Sequence, residues 1–261
     1  MKMPFYQTTF HGIDLIKVCE KIDHPLDEIA GPEVYSSAYS ALKERNFFDI
    51  DEVFIRRKKM LSKWVIDVIQ QYNVSKILSV GAGTAILENF LRLSGYDLHL
   101  QECQLESLDY LKKSNKNWDS GIKEFSIIDQ NLEDIEPNSF DCVVSFSSSY
   151  FFDDSLLVKL FLSVRNILRK GGIFILYDNS FNVHDFFLNI YWTLRRTKHS
   201  GVKWGYKRTL SDWNKIAQKC GFENKSESFF DIENELSSTN SFFGMPVEKS
   251  VVWQAVVYKV S

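Results

Sequence analysis

A strand that runs directly into a glycine turn and then into an amphipathic helix leaves a chain few folds to choose from. Residues 76–85, Lys-Ile-Leu-Ser-Val-Gly-Ala-Gly-Thr-Ala, have that form. Ile77 to Val80 suit a strand covered on both faces. Gly81 and Gly83 follow where a side chain would block close approach of a ligand. Ile86, Leu87, Phe90, Leu91 and Leu93 then recur at helical spacing until Gly95 stops the helix. A nucleotide-like ligand fits at the N-terminus of such a helix.

Gly-x-Gly alone suits a dinucleotide as readily as other ligands, so the next hundred or so residues decide. Strand-like runs end in Glu102, in Asp129 and in Phe146-Ser147, each after a helical or loop interval. An acid at the end of the second strand, about twenty residues past the glycines, is placed to accept hydrogen bonds from a ribose diol.

With these marks the chain resembles the class I S-adenosylmethionine-dependent methyltransferases over roughly residues 60–261. The marks are Val80–Ala85, Glu102, Asp129-Gln130, Ser139–Phe146 and Arg165–Leu176. The resemblance implies a doubly wound, mostly parallel seven-stranded α/β sheet with helices on both faces, its last strand antiparallel. It also implies S-adenosylmethionine as cofactor and S-adenosylhomocysteine as product. Gly81, Ala82, Gly83, Glu102, Cys103, Asp129, Gln130, Phe146 and Ser147 would surround that cofactor, with Glu102 on the ribose and Asp129 on the adenine. Ala85 departs from the pattern by standing where many members carry a third glycine.

The chain has 261 residues, enough for one domain with an extension. Its 44% hydrophobic and 25% charged residues describe a soluble globular protein. No apolar run reaches membrane-spanning length and no signal-like segment follows Met1, so we expect a cytoplasmic protein with no membrane insertion. Four dispersed cysteines without a Cys-x-x-Cys pair, and five scattered histidines, predict free thiols and no metal.

Residues 1–54 hold ten acids against five bases and are broken by Pro25, Gly31 and Pro32. We expect a helical cap or lid there, with Tyr35, Tyr39, Phe47 and Phe48 as its aromatic contacts and 55–261 as the cofactor-binding domain. Ile55 to Tyr72 predicts one long helix. Its basic run Arg56-Arg57-Lys58-Lys59 points around a full turn, so it forms no single basic face, and one arginine can turn inward to the cofactor's carboxylate.

For the acceptor, the carboxyl ends of strands four and five are the informative places. They carry Tyr150, Asp178 and Asn179. His184 opens an insertion at about 181–208; His184, Asp178 and Tyr150 are the candidates for a general base. From Arg195 to Arg208 there are six bases and no acid, in a chain of net charge −3. This suggests a phosphorylated or nucleotide-linked substrate held by Arg195, Arg196, Lys203 and Arg208, with Tyr35, Tyr39 and Asn179 also at the substrate. A pI near 6.0 argues against RNA, and no Asn-Pro-Pro-Tyr-like motif marks a DNA-directed enzyme. The reading is O-methylation of a small anionic metabolite, as in capsule or other glycan biosynthesis. The alternatives are an RNA or N-directed small-molecule methyltransferase, or a noncatalytic binding protein on this fold.

Overall fold

The structure, a computed structural model, describes residues 2–46, 52–103, 107, 126–128, 131–180, 201–230, 241–242, 245–246 and 252–260. Strands β1 (Lys2–Gln7), β2 (Thr9–Phe10) and β3 (Ile13–Asp14) precede helices α1 (Leu15–Lys21), α2 (Pro32–Glu44) and α3 (Glu52–Gln70). β4 (Lys76–Val80), α4 (Ile86–Leu93), β5 (Asp97–Gln101), β6 (Ser126–Ile128), β7 (Phe140–Phe146), α5 (Asp154–Ile167) and β8 (Leu168–Ser180) follow. The remainder is β9 (Val202–Arg208), α6 (Leu210–Lys219), β10 (Phe222–Phe230), the small pair β11 (Ser241–Phe242) and β12 (Met245–Pro246), and β13 (Val252–Val260).

Among the described residues, nine strands share one sheet. β6, β5, β4, β7 and β8 run parallel in that spatial order. β13 then pairs antiparallel to β8, and β10 antiparallel to β13. The expected mostly parallel, doubly wound sheet is therefore present, with β9 and β1 added to it.

Alternation along the strands divides the interior into two layers. Ile77, Cys142, Val144, Ile173 and Ile175 face α3 and α4, which contribute Leu61, Val65, Ile69, Leu87 and Leu91. Leu78, Val143, Phe174, Leu176 and Val256 face α5 and α6, with Phe161, Val164 and Trp213. Every residue of β7 is buried, as a strand covered on both faces requires. Several helix ends carry their own stop and start signals. Asp153 caps α5 by accepting from Leu156 N at 2.9 Å. Thr209 and Asp212 form a capping box on α6, the cap expected at Thr209 or Ser211.

Two sequence expectations change. The N-terminal segment is not purely helical, because β1 pairs antiparallel with β9, Lys2 opposite Arg208 and Gln7 opposite Val202. The last part of the basic insertion is correspondingly a strand. β8 outruns β7, whose pairing ends at Tyr177, and at Ser180 it meets Arg208 on one side and Val252 on the other. β9 thus takes the edge that β7 vacates. That lays β9, β1 and the helices α1 and α2 over the carboxyl end of the sheet.

A third apolar cluster forms beneath this roof. Ile13, Leu15, Val18, Val34, Ala38, Tyr39 and Leu42 of the N-terminal segment pack with Ile86, Tyr150, Val202 and Trp204. The roof shares its core with the helix after the glycine turn, so it is a layer of the fold. Among the described residues no helix is long and apolar enough to cross a membrane.

Candidate active site

The glycine turn has the backbone that its sequence requires. Gly81 (φ 68°), Gly83 (φ 56°) and Ala85 (φ 50°) are all left-handed. Glycine enters that region without strain, whereas Ala85 carries a Cβ there. Gly81 N donates to Gln101 O at 2.9 Å, and Ala82 N to the same oxygen at 3.4 Å, which ties the turn to the end of β5. Gly83 N donates to Glu102 Oε2 at 2.7 Å, and Ser107 Oγ donates to Gly83 O at 2.8 Å. Glu102 is buried beside the loop. The thiol of Cys103 lies 3.5 Å from Glu102 Oε1; desolvation and the neighbouring carboxylate push it up to about 11, so it stays protonated.

The segment after β7 abuts this turn. A Cβ on Gly81 would lie 2.7 Å from Ser148 Cβ. Ser148 Oγ donates to Val80 O at 3.2 Å and meets Ser145 Oγ at 2.7 Å. Ser147 has a φ of 55°, costly for a residue with a Cβ, and its N–H donates to Tyr177 O at 2.8 Å. Phe146 packs against Tyr177 from β8 at 6.2 Å between ring centroids. The left-handed turn at Ser147 sends the chain into a 3-10 turn, Ser149–Phe151, under the roof.

Asp178, at the end of β8, is 1% exposed and accepts a hydrogen bond from Ser149 Oγ. Its negative charge raises the hydroxyl pKa values of Tyr35, Tyr150 and Tyr177 in addition to the larger effect of burial. Hydrogen bonding from Trp204 and Tyr35 opposes that rise at Tyr150. Tyr35 Oη is buried against the Tyr150 hydroxyl. Tyr150 and Phe151 rings are 4.0 Å apart, Tyr35 and Phe151 4.4 Å, and Tyr35 and Trp204 4.5 Å. Gly205 is obligatory there, because a Cβ would sit 2.6 Å from Tyr150 Cδ2.

Tyr39 reaches the glycine turn: its hydroxyl would lie 3.2 Å from a Cβ on Gly83. Burial, and after it Glu102, raises its pKa well above the ordinary tyrosine value. Below it, Ser79 Oγ donates to Glu88 Oε1 at 2.8 Å, and Glu88 is 3% exposed. Desolvation raises the Glu88 carboxyl, opposed by Lys58. Desolvation lowers the half-buried Lys58 ammonium to about 8, while Glu88 and Asp178 pull it up and Arg57 pushes it down. The inward-facing base of the Arg56–Lys59 run is therefore a lysine, with Arg57 close enough to act on Tyr177.

The basic run is used differently from what its charge suggested. Arg208 is fully buried; Nη2 donates to Phe152 O at 2.6 Å and to Asp154 Oδ1 at 2.9 Å, and its guanidinium lies over Tyr206 and Trp213. Lys203 lies over Tyr206, 5.7 Å from the ring centroid, and Lys2 over the same ring at 4.9 Å. Lys203 N donates to Leu26 O and its carbonyl accepts from Ala30 N, so this residue pins the roof to β9. Of the four bases expected at the substrate, the two among the described residues, Lys203 and Arg208, thus make contacts within β9, the roof and α5. Asn179 pairs with Trp253 in the sheet. Asp129, Gln130, His184, Arg195, Arg196, Phe47 and Phe48 lie outside the described residues, as do the helix expected at Gln104–Leu111 and most of the 181–208 insertion.

Sequence reasoning missed Trp204, Ser149, Ser79 and Glu88. Trp204 had a signal, since Val202-Lys-Trp alternates like a strand, but the surrounding charge suits a loop equally well. Glu88 had none, because its carboxylate is explained by Ser79 on β4 and by Lys58, thirty residues earlier.

Residues 78–176 match a sequence family described as a methyltransferase domain. A ribosomal RNA small subunit methyltransferase A from Parabacteroides distasonis is 27% identical over 97 residues, 35% of this chain and 36% of that protein. The chain thus matches only about a third of that relative's length. Among solved structures, the magnesium protoporphyrin IX methyltransferase of Synechocystis PCC 6803 with bound S-adenosylhomocysteine superposes with a TM-score of 0.58 at 10% identity, over 94% of each chain. An S-adenosylmethionine-dependent methyltransferase from Clostridium acetobutylicum does so with a TM-score of 0.55 at 16% identity, over 85% of this chain and 99% of that one. Residues 78–176 thus match a methyltransferase domain, and the strand order and glycine turn of the chain are those of the class I, Rossmann-like methyltransferase fold.

Proposed function

We propose that the protein transfers the methyl group of S-adenosylmethionine to a small molecule, bound where the segment after β7 meets the end of β8. The observation that carries this reading is the abutment of Gly81 on Ser148 together with the Ser149–Asp178 hydrogen bond. These contacts support a site that runs from the glycine turn toward Tyr150 and Asp178. In this reading Gly81, Ala82 and Gly83 border the cofactor, Glu102 holds its ribose, and Lys58 with Glu88 brackets the carboxylate and ammonium of its methionine moiety. When bound, the cofactor supplies an electrophilic methyl group on a sulfonium.

The chain's own residues position the acceptor and exclude water. Displacement at a sulfonium carbon needs the nucleophile in line, and positioning of that kind supplies much of the acceleration. The roof over the carboxyl end, with Tyr35, Tyr39, Phe151 and Trp204, keeps the site dry. Asp178 accepts a hydrogen bond or a proton from the acceptor's reacting group.

An anionic acceptor was the expectation from the basic run. The engagement of Arg208 and Lys203 elsewhere removes two of that reading's four bases, and we keep the acceptor here as a small molecule bearing an O–H or N–H donor. Isothermal titration of the full chain with S-adenosylmethionine tests the reading: one site per chain is expected. Absence of binding, or tighter binding of NADH, overturns it.

A further inference from the structure

We propose that Ser148 is a positioning residue for the cofactor: it buttresses the glycine turn, and position 81 must be a glycine because of that contact. The inference rests on the methyl-transfer reading above and adds a determinant of cofactor affinity to it.

Backbone conformation does not by itself demand a glycine at 81. Gly81 is left-handed at φ 68°, but the same turn also carries Ala85 at φ 50°. The turn therefore already holds one left-handed alanine, whose Cβ crowds its own backbone only moderately. What separates the two positions is the space around them. A Cβ on Gly81 would lie 2.7 Å from Ser148 Cβ and 2.9 Å from Ser148 Oγ, well inside the separation at which nonbonded atoms attract.

Ser148 has no room to step aside, because the segment that carries it is anchored on both flanks. Its own hydroxyl donates to Val80 O at 3.2 Å and meets Ser145 Oγ at 2.7 Å. Before it, Ser147 holds a left-handed φ of 55° while its N–H donates to Tyr177 O at 2.8 Å. After it, Ser149 Oγ donates to the buried Asp178. A strained residue persists in this way only where its surroundings fix it.

The turn is tied from the other side as well. Gly81 N donates to Gln101 O at 2.9 Å, and Gly83 N to Glu102 Oε2 at 2.7 Å. Ser148 on the β7 side and Gln101 with Glu102 on the β5 side thus hold the turn between them. A binding loop already fixed in one position loses little freedom when its ligand arrives, which favours affinity. A methyl group at 81 would push the turn off Ser148 and displace Gly83 N from Glu102. Left-handed strain, in contrast, is present in the free and the bound protein alike, so it lowers the melting temperature and cancels from the affinity.

The test measures S-adenosylhomocysteine binding to the full chain by calorimetry, with a thermal melt of each variant. Ser148→Gly, which removes the buttress, is expected to weaken binding about threefold, and Gly81→Ala at least about tenfold. Combining them removes the atoms that the new methyl strikes, so the double variant is expected to bind as tightly as Ser148→Gly alone. Gly83→Ala is the control. Its Cβ would meet the Tyr39 hydroxyl at 3.2 Å, so Ser148→Gly is expected to restore nothing to it. Wild-type affinity in Gly81→Ala, a double variant no tighter than Gly81→Ala, or equal rescue of Gly83→Ala overturns the proposal. Should Gly81→Ala fail to fold, Ser148→Gly decides alone, and wild-type affinity in it overturns the proposal, whereas weaker binding with an unchanged melt supports it. Failure of the unmodified chain to bind S-adenosylhomocysteine at all would instead overturn the methyl-transfer reading.

Discussion

The two ends of the central sheet are built on opposite rules. At the amino end, Asp141 is a buried carboxylate with its needs met: Oδ2 accepts from Ser75 N at 2.9 Å, Ser75 Oγ at 2.7 Å and Lys76 N at 2.9 Å, and Oδ1 pairs with Arg169. One side chain of β7 thereby ties the starts of β4 and β8. At the carboxyl end the chain tolerates left-handed Ala85 and Ser147 and buried carboxylates at Glu88 and Asp178. The contrast assigns stability to one end and ligand recognition to the other, since strained and desolvated polar groups persist where the surroundings hold them for a purpose. The Asp141 end should therefore answer to denaturant and the other end to ligand.

The largest effect should come from removing the roof. Deleting residues 1–46 takes away Ile13, Leu15, Val18, Val34, Ala38, Tyr39 and Leu42 and strips β9 of its partner. Each buried side chain of this kind is worth about 1.5–3 kcal/mol, so the loss exceeds the few kcal/mol by which domains are stable. We expect loss of cooperative unfolding in circular dichroism. A truncated chain that melts normally would show the roof to be a separable lid, as the sequence suggested.

Asp141→Ala comes next, at about 3 kcal/mol in urea unfolding, because it orphans two backbone N–H groups and Arg169. Cofactor affinity of the folded fraction should not move. A change in affinity as large as the change in stability would erase the division between the ends.

Glu102→Ala should do the reverse. Cofactor binding is expected to weaken by roughly 1.5–3 kcal/mol in calorimetry, while the melting temperature of the free protein changes little. An unchanged dissociation constant in the folded variant removes Glu102 from the ribose.

The charge at Lys58 sharpens the comparison through pH. Its ammonium is lowered from 10.5 to about 8 by burial, and in the proposed role it would hold the cofactor's carboxylate only while protonated. Affinity should fall above pH 8, approaching about tenfold per pH unit. Its contribution to stability has the opposite sign: between about 8 and 10.5 the unfolded chain holds the extra proton, so this group favours the folded state more as pH rises. Lys58→Met should flatten the affinity profile, and a profile left intact by that change would place the carboxylate elsewhere.

The smallest effect is Ala85→Gly. Relief of the left-handed backbone at φ 50° should raise stability by up to about 1 kcal/mol, with cofactor affinity unchanged within error. Destabilisation would mean that the buried Ala85 methyl contributes more by packing than it costs in backbone strain.

The sequence by itself determined what is local. The glycine turn, the Ile86–Leu93 helix, the fully apolar β7 and the Thr209 cap each arise from residues within a few positions of one another, so spacing and residue type were enough. The positions of Gly81, Gly83, Glu102, Tyr150 and Asp178 at the ends of such elements were legible for the same reason. Only the tertiary structure decided the roof. Lys2 meets Arg208 across most of the chain, and a six-residue segment with few alternating apolar positions declares itself a strand only when a partner edge exists. It also decided what the charges do. Arg208 looked like a substrate ligand from its basic neighbours, yet it is buried against Asp154, while Glu88 looked like an ordinary surface helix residue and lies beneath the site. A charge's role depends on which opposite charge and how much water it meets, and neither is written in its neighbours along the chain.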